Sequence, residues 1–61
     1  MVDVKVGHVY RFKPDPRLKV KVLNQTSINE WRVFDYYMNI MYAMTPELFE
    51  DFELDEDTVD A

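Results

Sequence analysis

The 61-residue chain contains no cysteine, so neither a disulfide nor a thiolate metal site can brace it. It has one glycine, Gly7. That excludes a glycine-rich phosphate loop and an EF-hand, whose calcium loop needs its own glycine further along. One histidine (His8) and one serine (Ser27) offer no set of nucleophile, base and orienting group. His8 also has no second His or Cys with which to share a metal. No window approaches the roughly 20 apolar residues of a membrane span, and the first residues show an acid, Asp3, where a basic leader would begin. These absences predict a protein that is not an enzyme, holds no cofactor or metal, does not enter a membrane and works in the cytoplasm.

Basic residues are also missing from the whole second part of the chain. All seven lie between Lys5 and Arg32. Residues 1–37 carry seven bases against four acids, a balance of +3, and residues 38–61 carry eight acids and no base, a balance of −8. The net −5 therefore conceals a division of charge along the chain.

What the chain has in surplus is aromatic side chains, nine Phe, Trp or Tyr in all. A domain of this size buries only roughly 60% of the surface its unfolded chain exposes. Its core must be built around the aromatic and methionine-rich stretch 30–44, and self-association is a second route to stability. Residues 1–54 are expected to form one domain, with residues 55–61 an acidic, disordered tail.

The pattern along the chain is mostly that of strands. Gly7 marks a turn or bulge before a strand in which Tyr10 and Phe12 point one way and Val9, Arg11 and Lys13 the other. Pro14 and Pro16 stop it. Residues 18–23 alternate strictly, with Leu18, Val20 and Val22 inward and Lys19 and Lys21 outward. Residues 24–27 read as a polar loop. Residues 30–44 admit two readings. As strands, 31–34 pairs with 40–44 through a turn at 35–39, and the Trp, Tyr and Phe content suits a pleated surface. As a helix over 28–44, Ser27 and Glu30 form a capping box, which would give an α+β fold with the hairpin packed on that helix. Strands are the preferred reading, because such a helix would be apolar almost all round. Thr45 and Pro46 then start a single helical turn that points Leu48, Phe49 and Phe52 at the core, and residues 52–54 form a last short strand.

This order of signals, "GHVYRF", then "LKVKVL", then "WRVFDYY" and "IMYAM" leading into "TPELFEDFEL", resembles small SH3-like β-barrel proteins of phages and mobile elements. The resemblance spans residues 7–54 and departs from the pattern in lacking glycine in the hairpin turns. It implies a partly open barrel of about five strands and a non-enzymatic adaptor or accessory role in the cytoplasm of a host cell.

Two surfaces are candidates for that role. The first joins Trp31, Tyr36 and Tyr37 to the acids Glu47, Glu50, Asp51 and Glu53, for a protein partner or a second copy of the chain. In a variant of this reading the acids 47–60 imitate a phosphate row and block a nucleic-acid-binding protein. The second is the basic hairpin face of Arg11, Lys13, Lys19 and Lys21, with Arg17 beside it, which would track a phosphate backbone. No aromatic interleaves with these cations, so nucleic acid is the less expected partner. The acidic C-terminal residues would also screen that face if they fold back on it.

Overall fold

A computed structural model describes residues 4–55 of the chain. Five strands form one antiparallel sheet: β1 (Val9–Phe12), β2 (Lys19–Ser27), β3 (Glu30–Asp35), β4 (Ile40–Met44) and β5 (Phe52–Leu54). A four-residue helix, α1 (Pro46–Phe49), separates the last two. The spatial order is β4-β3-β2-β1-β5. The fold is thus mostly β with one helical turn, an open sheet whose two edges are β4 and β5, as in a small partly open barrel. The helix reading of residues 28–44 does not hold. Strands place the alternate side chains of this apolar stretch on two faces, so only one of them has to be buried.

Register sets that inner face. Tyr10 stands opposite Val20, Val22 opposite Val33, Val33 opposite Tyr42, and Trp31 opposite Met44. Tyr10, Val20, Val22, Val33 and Met44 are buried there, and α1 and β5 close the core with Phe49 and Phe52. Phe49 is the hub. Its ring meets Tyr10 at 5.5 Å, Trp31 at 5.7 Å and Phe52 at 6.1 Å between centroids, all edge-on. Each such contact adds about 0.5–1.5 kcal/mol beyond the area it buries.

The turns are made largely without glycine. Gly7 itself adopts φ +91°, a conformation other residues enter at a cost, and its N–H donates to the Val22 carbonyl at 2.8 Å. At Pro14 to Pro16 the chain folds back through Asp15, whose N–H donates to the Phe12 carbonyl and whose carbonyl accepts from Leu18. Asn39, at φ 60°, supplies the left-handed residue of the β3–β4 turn, a role Asn fills at low cost.

Three local expectations are corrected. Residues 24–27 are not a loop but the second half of β2, which runs to Ser27 and pairs it with Glu30. Register shifts between Val22 and Asn24 and between Gln25 and Ser27 make this possible. The two-residue turn Ile28-Asn29 has no positive φ, so it lacks the twist of a primed turn, and the adjacent shift supplies the bend. Leu48 is exposed, because a single helical turn aims one side chain inward and Phe49 takes that direction. Val9, on the outer face, is nevertheless buried; the Asp55 N–H donates to its carbonyl and Lys21 stands opposite it. Thr45 has the extended conformation of an N-cap, but its hydroxyl makes no capping bond. The alternation of Val2 and Val4 with Asp3 and Lys5, which suits a short strand or an arm, lies outside the described residues as far as residue 3, and residues 4–8 form no strand.

Candidate protein-interaction site

Sequence and register place the proposed site residues in two groups at opposite ends of β3. Trp31, second in β3, lies on the inner face, half-buried edge-on against Phe49. Through Phe49 it belongs with α1, which carries Glu47 in its first turn and is followed by the exposed Glu50 and Asp51. Tyr36 and Tyr37 begin the four-residue loop after Asp35, at the other end of the strand. Five residues at about 3.3 Å each separate Trp31 from Tyr36, roughly 16 Å. Even-numbered residues of β3 also point away from the face that Trp31 occupies. The aromatic and acidic residues therefore do not form one continuous patch.

The hairpin tip is the more pronounced surface. Tyr36, Tyr37 and Met38 are 51%, 63% and 60% exposed, and Ile40 and Met41 are exposed behind them. Phe34 underlies the group, edge-on to the Tyr36 ring at 5.2 Å. Sequence reasoning singled out the two tyrosines from their position near a turn but missed Met38, Ile40 and Met41. The signal was present in the unbroken absence of charge from residue 36 to residue 46.

Asp35 holds the tip in shape. Its carboxylate is 1% exposed, yet every partner is a donor: Oδ1 accepts from the N–H groups of Tyr37 (2.8 Å) and Met38 (3.1 Å), and Oδ2 accepts from the Tyr42 hydroxyl (2.7 Å). Its carbonyl accepts from Asn39 at 2.7 Å, and the Tyr36 N–H donates across to the Lys19 carbonyl at 3.0 Å. The loop backbone is thus fixed while its side chains face outward.

Burial pushes the Tyr42 hydroxyl well above the usual tyrosine range, and its hydrogen bond to Asp35 adds to the shift. A group held protonated by the fold contributes stability that is complete below its unfolded pKa, about 10 for tyrosine, and is lost as the pH rises beyond it. The urea midpoint of the wild type should therefore fall above about pH 10 relative to that of Tyr42→Phe, with a constant gap between the two at pH 7–9. A gap that stays constant up to pH 11.5 would contradict this coupling.

The basic face is largely compensated. Arg11 donates from Nε to Glu53 at 2.7 Å and from a terminal nitrogen to Asp55 at 3.3 Å, and Lys19 Nζ meets the other Asp55 oxygen at 2.8 Å. Arg17 grips Asp15 through two hydrogen bonds of 3.0 Å, which lower the Asp15 carboxyl below its ordinary range. Lys13 has an exposed side chain, and Lys21 is half-buried between Val9 and Phe34 of the neighbouring strands. Glu53, expected at a partner surface, is exposed and pairs with Arg11. Asp55, assigned to the tail from sequence, is 1% exposed and closes the β1–β5 edge; the rest of the expected tail, residues 56–61, lies outside the described residues.

No family model matches the chain, and no curated protein or solved structure does either. The reading of the site therefore rests on its geometry. Among the described residues no group of three acidic or imidazole side chains is placed to hold a metal, and no helix is long and apolar enough to cross a membrane.

Proposed function

We propose that this chain is a non-enzymatic protein-binding module that takes a protein partner on its β3–β4 hairpin tip. The observation that carries this reading is the contrast at residues 35–38: side chains of Tyr36, Tyr37 and Met38 more than half exposed, on a backbone pinned by a buried carboxylate. Aromatic residues with two side-chain torsions, held in advance, lose little entropy on binding and are the types that dominate interface energetics. Glu47, Glu50 and Asp51, with Trp31 beside them, form a separate acidic region suited to steering a basic partner into contact. The resemblance to small phage barrels supports an accessory or inhibitory role in a host cytoplasm.

Direct nucleic-acid binding is the weaker reading, since Arg11, Arg17 and Lys19 already face carboxylates. The acidic-mimic reading is weakened in the same way, because Glu53 and Asp55 are turned toward the protein's own cations.

The test is capture of a protein from a host lysate by tagged wild type, Tyr36→Ala and Tyr37→Ala, with nuclease, at low and high salt. The expected result is a partner that survives nuclease and salt and whose affinity falls at least about tenfold in either variant, the loss of a typical hot-spot residue. Both variants folding and capturing the partner like the wild type would overturn the assignment of the tip. A partner lost in high salt would favour the acidic mimic, and recovery of nucleic acid abolished by nuclease would favour the basic face.

A further inference from the structure

We infer that β4 is a docking edge for a second copy of the same chain, paired antiparallel through β4 about a twofold axis near Tyr42. The two edges of the sheet differ in kind. β5 carries Glu53 between Asp51 and Asp55, and charge on an edge strand deters pairing. β4 is Ile-Met-Tyr-Ala-Met, set in residues 36–46 without one charged side chain. It has no strand on its outer side among the described residues.

The alternation of an antiparallel ladder identifies which groups face outward. Tyr36 donates to Lys19 across the β2–β3 boundary, so the even residues of β3 bond toward β2. The odd residues, Trp31, Val33 and Asp35, then bond toward β4, where they stand opposite Met44, Tyr42 and Ile40. The N–H and C=O groups of Met41 and Ala43 are left pointing away from the sheet. Two copies related by a twofold axis at Tyr42 bring Met41 opposite Ala43 of the second copy, twice, and each such pair exchanges both backbone bonds. A large side chain faces a small one in both.

The self-complementary register argues for a second copy as the occupant, and charge does not oppose it at the seam. The acids of this −5 chain that the structure describes beyond residue 44 are carried by α1, β5, the residues joining them and Asp55 just after β5, and β5 is the far edge of the sheet. Joining β4 to β4 puts the two β5 edges at opposite ends of a continuous sheet and brings no like charges face to face across the seam. It also covers exposed Ile40 and Met41 and relieves the small core of a 61-residue chain.

The experiment is light scattering on the eluting wild type from micromolar to millimolar concentration, together with amide hydrogen exchange. The mass is expected to rise from 7.4 kDa toward twice that value. Exchange at the Met41 and Ala43 amides should slow with concentration by tenfold or more, while Ile40, Tyr42 and Met44, already bonded to β3, should not respond. Ala43→Pro removes only an outward donor and should leave a folded monomer. If that variant fails to fold, Met41→Glu, at an exposed site, should hold the mass at 7.4 kDa with native tryptophan emission. Tyr37→Ser should weaken partner capture yet still dimerise, which separates this inference from the assignment of the hairpin tip. A mass fixed at the monomer value, or a dimer in which the Met41 and Ala43 amides exchange as in the monomer, would overturn it.

Discussion

Replacing Phe49 by alanine is expected to unfold the protein at 25 °C. The ring is fully buried and touches Tyr10, Trp31 and Phe52, which come from β1, β3 and β5. Removing a buried phenylalanine costs about 3–5 kcal/mol, the sum of lost transfer energy and the cavity left behind. A single core in a chain below about 70 residues rarely supplies more than that in total. No disulfide is available to absorb the loss, since the chain has no cysteine. The tryptophan reports the outcome directly, because Trp31 rests edge-on against the deleted ring. Its emission should move to that of solvated indole, and the cooperative thermal transition should vanish. Phe49→Leu keeps most of the volume and should retain a transition at a lower midpoint. If Phe49→Ala still melts cooperatively within a few degrees of the wild type, Phe49 is not the centre of this core.

How much of this was legible in the sequence depends on how local the cause was. The alternation at Leu18, Val20 and Val22 reported its own face, because a strand's period is a property of neighbouring residues. The Ser27–Glu30 spacing was ambiguous for a physical reason: it fits a capping box, and it fits equally a two-residue hairpin turn with Ser27 paired to Glu30. The structure takes the second option, with the Thr26 hydroxyl donating to the Glu30 carboxylate at 2.9 Å across the turn. The exposure of Tyr36 and Tyr37 was readable from an excess of aromatics beside a turn. Trp31 was not separable from them by composition, because its packing depends on Phe49, eighteen positions away and delivered by α1. Asp55 was hidden in an acidic run. Its burial follows from the sheet order, which lays β5 against β1 and so carries Asp55 to Arg11 and Lys19. No periodicity in the acids from Glu53 onward marks Asp55 for burial.

Asp35→Ala is expected to cost about 2–4 kcal/mol and to loosen the hairpin tip. The carboxylate is a pure acceptor serving three donors, and no cation is among its partners. Alanine leaves the half-buried Tyr42 hydroxyl without its acceptor and releases the Tyr37 and Met38 amides, and each orphaned donor costs about 1–3 kcal/mol unless water reaches it. Asp35→Asn should be milder, at about 1–2 kcal/mol. Its oxygen can still accept from the two amides, and its NH₂ can donate to the Tyr42 oxygen if the hydroxyl proton turns away, although the strength of a charged acceptor is lost. The decisive measurement is a double-mutant cycle with Tyr42→Phe. In the wild-type background that change leaves a buried carboxylate oxygen short of a donor and should destabilise by about 1–2 kcal/mol. In the Asp35→Ala background it removes an already orphaned hydroxyl and should be neutral or stabilising, giving a coupling energy of at least about 1 kcal/mol. Additive losses would show that Tyr42 and Asp35 act independently and that the tip is held by its backbone bonds alone. Tip function should follow the same order. Asp35→Asn would keep Tyr36 and Tyr37 presented for binding, and Asp35→Ala would lower partner affinity even under conditions where the sheet remains folded, because the two rings would then have to be ordered on contact.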